Sequence, residues 1–139
     1  MITNPQTITE SFINWLESEG VATFGQDLYL RRVPDSQKTP SSLYWIIPSG
    51  GFPLGRNKTG EMIKQYTFVI NYRSTKAEDV EHKLYELEEL LNCQSCIALE
   101  GYQVLEVEVS VFPDDGDVDD EDREVGLLQV NIKTYKQRC

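Results

Sequence analysis

Apolar positions recur along this chain in two rhythms, one helical and one extended. Ile8, Phe12, Trp15 and Leu16 stand three or four residues apart and would line one face of a helix. Just ahead, Thr7-Ile8-Thr9-Glu10 reads as a capping box, with the Thr7 hydroxyl and the Glu10 carboxylate satisfying each other's backbone donors. Gly20 is a natural stop, because it takes the left-handed conformation after a last turn at little cost. The pattern predicts a helix over about residues 8–19.

The period then changes to two. Leu28 and Leu30, with Arg32, alternate with Tyr29, Arg31 and Val33, which predicts a strand closed by Pro34-Asp35. Residues 34–42 are rich in turn formers and read as a turn or loop. Residues 43–47 are unbroken apolar or aromatic sequence, the mark of a short strand buried on both faces, here ended by Pro48. Residues 49–60 hold four glycines and a proline, and predict a flexible loop or the tip of a long hairpin. Across residues 62–73, Tyr66, Phe68, Ile70 and Tyr72 point one way, and Gln65, Thr67 and Asn71 the other. This is the clearest strand in the chain.

A second helix opens at Ser74-Thr75, with Thr75 and Glu78 as another capping box. Its stripe is Ala77, Val80, Leu84, Leu87 and Leu91, and Asn92 would cap its end. Leu105, Val107, Val109 and Val111 then alternate with Glu106, Glu108 and Ser110, a half-buried strand with a charged outer face. A final strand over residues 126–135 turns Leu128, Val130 and Ile132 inward. Strands outnumber helices, so one sheet with helices packed on a face is the economical architecture. The expectation is a single α+β domain over residues 1–139, in the order α-β-β-β-α-β-β. Its sheet would be mainly antiparallel, with the N-terminal helix and the second amphipathic helix packed on it. A Gly-rich loop or hairpin arm occupies 49–60, and an acidic loop occupies 113–124, joining the last two strands as a hairpin.

Composition narrows the function. A chain of 139 residues buries roughly 68% of its unfolded surface, enough for a core without staples. The net charge of −10, with only 13 Lys and Arg, disfavours duplex DNA as a ligand and an anionic membrane as a docking surface. No apolar run approaches the ~20 residues of a membrane span, and no secretory signal is visible at the N-terminus. Three cysteines, an odd number, argue against a closed disulfide framework and for a reducing compartment.

Candidate chemistry is sparse. The acidic stretch holds Asp114, Asp115, Asp117, Asp119, Asp120, Glu121 and Asp122, followed by Arg123 and Glu124. Aligned as an EF-hand from Asp115, it puts Asp120 where glycine is required and Gly126 where the bidentate Glu belongs. Like charges this dense repel, so it reads as a solvated hairpin tip, with ordering by a basic partner or a divalent ion as the alternatives. Cys93-Gln94-Ser95-Cys96 has redox or half-zinc spacing, but it follows a helix, and zinc lacks a second pair of ligands. Structural or incidental thiols are expected. His82, the one histidine, lies off the apolar stripe and reads as a surface residue. The glycines of 49–60 lack P-loop spacing, and Arg56 and Lys58 make that segment's only basic feature. Trp15, Trp45, Tyr66, Phe68 and Tyr72 read as core. No catalytic, cofactor-binding or metal-ligating set is expected.

This order of elements resembles the tail terminator proteins of long-tailed bacteriophages, often labelled minor capsid or head–tail joining proteins. The likeness runs over nearly the whole chain. It takes in the N-terminal helix with Trp15-Leu16, the strand Leu43-Tyr44-Trp45-Ile46-Ile47-Pro48 and the strand Gln65-Tyr66-Thr67-Phe68-Val69-Ile70. The helix through Leu91 and two closing strands complete it. The resemblance implies a non-enzymatic structural protein of the virion, assembled in the host cytoplasm, forming a hexameric ring. Such a ring caps the tail tube and meets the head connector, and genome DNA passes through it without sequence-specific binding. By position, Phe52, Leu54, Arg56 and Lys58 would contact a neighbouring subunit or the tail tube, and the acidic residues 114–122 would form a second exposed surface. The alternatives are another head–tail or tail-tube component, or a small bacterial binding module or enzyme.

Overall fold

The structure, a computed structural model, describes residues 2–34, 40–93, 97–113 and 123–136. Its elements are helix α1 (Ile8–Ser18), strands β1 (Leu28–Leu30), β2 (Leu43–Arg56) and β3 (Met62–Ser74), helix α2 (Ala77–Asn92), and strands β4 (Tyr102–Phe112) and β5 (Glu124–Lys136). The five strands form one sheet in the order β1-β2-β3-β5-β4. The short β1 runs parallel to β2, and every other pairing is antiparallel, so the sheet is mixed.

The period-two pattern decides which face is buried. Tyr44 and Ile46 of β2, Phe68, Ile70 and Tyr72 of β3, and Leu128, Val130 and Ile132 of β5 enter one core. Phe12, Trp15 and Leu16 of α1 and Val80, Leu84, Leu87 and Leu91 of α2 close it from the other side. Phe12 joins helix to sheet, with its ring stacked 4.9 Å from that of Phe68. Each such side chain contributes about 1.5–3 kcal/mol by leaving water. Gly126 lets α2 approach the sheet closely: a Cβ there would lie 2.6 Å from Val80 Cγ1 and 2.7 Å from Leu84 Cδ1. The Ser11 hydroxyl donates to the Glu100 carbonyl at 2.9 Å, tying α1 to the connection that leads into β4.

The helix starts divide. At α1 the Thr7 hydroxyl accepts from the Glu10 N–H at 3.2 Å, as the capping box requires. The Glu10 carboxylate takes the Gln6 N–H at 3.1 Å instead of that of Thr7, one residue further out. At α2 the expected box is absent. The N-cap is Lys76, with no side-chain cap bond, because the β3 ladder runs on to Ser74 and delays the helix start past Thr75. Asn92 is the last helical residue and not the cap, and Ala77 at the head of the stripe is exposed.

Three strand readings change. The strand opening at Leu43 is not buried on both faces: Ile47 is 40% exposed, and Trp45 is half-buried on the side away from Tyr44 and Ile46. The β1 strand stops at Leu30, because Arg31 takes a left-handed conformation at φ 70°. Leu105 is exposed because the β4–β5 register shifts between Val104 and Glu106, where one extra residue is accommodated as a bulge. The bulge hands the inward position to Val104 and puts Glu106 opposite Lys133, their charged groups 3.0 Å apart.

Candidate assembly surface

Pro48 does not end the strand. The β2 strand continues to Arg56 and, with β3, forms a long hairpin, so the second of the two readings of residues 49–60 holds. The reason lies in the neighbour. The β1 pairing ends at Leu30 opposite Ile46, so beyond that point one edge of β2 has no strand partner among the described residues, and a proline facing that edge deprives no described ladder of a donor. Register shifts between Pro48 and Gly51 and between Pro53 and Gly55 absorb the prolines. Gly50 and Gly55 hold φ values of 90° and 134°, which only glycine adopts freely.

Side-chain hydrogen bonds from several residues tie the hairpin tip together. The Asn57 carboxamide oxygen accepts from the backbone N–H of Thr59 at 3.0 Å and of Glu61 at 2.9 Å. The Glu61 carboxylate accepts from the Thr59 hydroxyl. The Arg56 guanidinium folds onto the Gly60 carbonyl at 2.7 Å. The four residues singled out in this segment are all exposed, Phe52 by 49% and Leu54 by 47%, with Arg56 and Lys58 nearer the tip. Register puts Phe52 opposite Gln65, whose other neighbour across the sheet is Lys133. The acidic residues 114–122 lie outside the described residues, as do Cys96 and Cys139. Cys93, expected to be a thiol, is disulfide-bonded.

The structure also assembles a feature that no local pattern announced. Tyr66 packs against the core, and Lys64 and Met62 follow it on the same side of β3 by strand alternation. Beyond the helices this side forms an open cleft of about 510 Å³, lined by Tyr66, Tyr102, Tyr135, Arg56, Lys64 and Lys136. Its cations come from three strands and its one acid, Glu61, already holds the Thr59 hydroxyl. The residues are up to 80 positions apart in sequence, and only the register of β2, β3, β5 and β4 brings them together. The phenol of Tyr102 is raised above its ordinary range, by burial first and by Tyr66 second.

The other polar cluster lies between sheet and α2. Tyr72 donates to Asp79 Oδ2 at 2.7 Å, and its ring centroid is 4.5 Å from that of Tyr44. Burial, then the bond to Asp79, pushes the Tyr72 phenol up to about 12. Burial likewise raises Tyr44. Phenols this reluctant to ionise are poorly matched to proton transfer near neutral pH, and the bond from Tyr72 to Asp79 ties α2 to β3. His82 is exposed on α2, and among the described residues no group of three or more His, Cys, Asp or Glu is arranged to hold a metal ion. Among the same residues, no helix is long and apolar enough to cross a membrane. Comparison with known protein families finds no match to this chain, and comparison with curated proteins finds none either.

Proposed function

We propose that this protein is a structural assembly protein of a phage tail, a terminator that forms a closed ring on the tail tube and offers a surface to the head connector. The observation that carries the reading is the β2–β3 hairpin. It is a long, ordered arm that raises Phe52 and Leu54 into solvent beyond the helix-covered core. Exposed apolar side chains on a stiffened strand pair lose little conformational freedom on docking, which suits a protein–protein contact. A contact between an arm on one subunit and a different surface on the next is heterologous, and such contacts close into rings when the rotation per step divides a full turn. The order of elements, which resembles that of the tail terminators, points to the same function. In this reading the ring sits in the virion at the head–tail junction, and its acidic chain lets DNA slide past without retaining it.

The test is sedimentation of the purified chain over a wide concentration range, alone and mixed with tail tubes, with electron microscopy of the heaviest fraction. Closed rings, or caps on tube ends, are the expected result. Long tubes of this chain would move the reading to a tail-tube component. A monomer that ignores tube ends would end it.

A further inference from the structure

We propose that the tyrosine-lined basic cleft beside the hairpin receives the acidic segment 114–122 of a second copy of this chain, and so forms the contact between successive subunits. The inference rests on the assembly reading above and names the partner of one surface in it. Chemistry argues first. The segment holds seven of the chain's 23 acidic residues within nine positions, with no cation among them. The cleft presents Arg56, Lys64 and Lys136, and among the described residues neither Lys64 nor Lys136 has an acidic partner. Tyr66 and Tyr102, which line it, stand on the same face of the sheet as Lys64 and Lys136. In a chain of net charge −10, this is where an anionic partner finds local attraction.

Geometry then decides whose segment it is. The cleft lies at the Tyr102 end of β4, and the segment leaves from the Phe112 end. Eleven residues of strand separate the two ends by roughly 33 Å. The segment is tethered on both sides, at Pro113 and Arg123, so its middle can extend by only about 17 Å. A copy therefore cannot fill its own cleft by that route along the sheet. A neighbour stacked head to tail can, and each copy in such an arrangement has one cleft filled and one segment engaged. That is the heterologous contact a ring requires.

The test uses the full chain. Unlabelled and nitrogen-15-labelled protein are mixed in equal amounts, coupled with a carbodiimide that links carboxylates to amines, and digested for mass spectrometry. The expected products join Lys64 or Lys136 to the acidic segment, with light and heavy halves combined in one peptide pair. The double variant Lys64→Glu, Lys136→Glu changes two exposed side chains. It is expected to fold as the parent does, by circular dichroism, to lose these products, and to need about tenfold more protein to assemble. A chain with the seven acids changed to amides should behave the same way. Links within one isotope only, or none to these lysines, overturn the contact. So does unchanged ring assembly by the amide variant, which would leave the tail-terminator reading standing. Mixed-isotope links from a protein that never closes rings would keep the contact and remove that reading.

Discussion

Tyr72 shows how one side chain couples packing to pH. Its ring fills the space against Tyr44, and its hydroxyl holds Asp79 of α2. The hydrogen bond from Tyr72 is the leading reason that Asp79 stays below its ordinary value of 3.8. The two groups affect stability at opposite ends of the pH scale. The native phenol keeps its proton up to about 12, while the unfolded one releases it near 10.0, so stability falls across that interval as pH rises. The native carboxylate stays charged below 3.8, so its contribution is present above that pH and fades as pH falls through the lowered value. Tyr72→Phe is expected to cost about 1 kcal/mol at neutral pH. It should also flatten part of the alkaline loss and return Asp79 toward the ordinary carboxylate range. Urea denaturation from pH 3 to 11, with carboxylate titration by NMR, checks both. An unchanged Asp79 titration would show that the bond does not set its charge state.

At the level of elements, the hairpin and α2 differ in what they contribute. The α2 stripe of Val80, Leu84, Leu87 and Leu91 is buried against the sheet, whereas the far part of β2 buries almost nothing. Replacing Phe52 and Leu54 together with serine should therefore change stability by no more than about 0.5 kcal/mol. It should still raise the protein concentration at which assembly begins. Thermal melts compared with sedimentation separate the two effects, and a large drop in melting temperature would show that the arm supports the fold.

For the molecule as a whole, a single core under both helices implies a single cooperative unit. Leu84 is fully buried at its centre. Leu84→Asp places a charge there with no partner, a penalty of several kcal/mol against a total stability of about 5–15 kcal/mol. Both helical and sheet signals in circular dichroism should vanish together. Retention of native sheet signal alone would mean that the sheet and helices are separate units. Charge is also a whole-molecule property. The proposed attraction between the acidic segment and the basic cleft would act over a Debye length of about 8 Å at physiological salt and weaken further as salt is added.

Much of this was legible in the amino-acid pattern, because burial is periodic and the periods of helix and strand differ. Phe12, Trp15 and Leu16, the α2 stripe from Val80 to Leu91, and the inward set Phe68, Ile70, Leu128, Val130 and Ile132 stand where their spacing puts them. The order α-β-β-β-α-β-β followed from the same signal. The tertiary structure alone decided the rest, because each remaining feature depends on a neighbour distant in sequence. Pro48 reads as a stop until β1 is seen to end opposite Ile46 and leave that edge unpaired among the described residues. Leu105 reads as core until the β4–β5 register shows a bulge at its position. Trp45 reads as core until the sheet places it on the face opposite Tyr44. Arg56, Lys64 and Lys136 are ordinary surface cations along the chain, and become one cleft because hydrogen-bonded register aligns residues without regard to their separation in sequence.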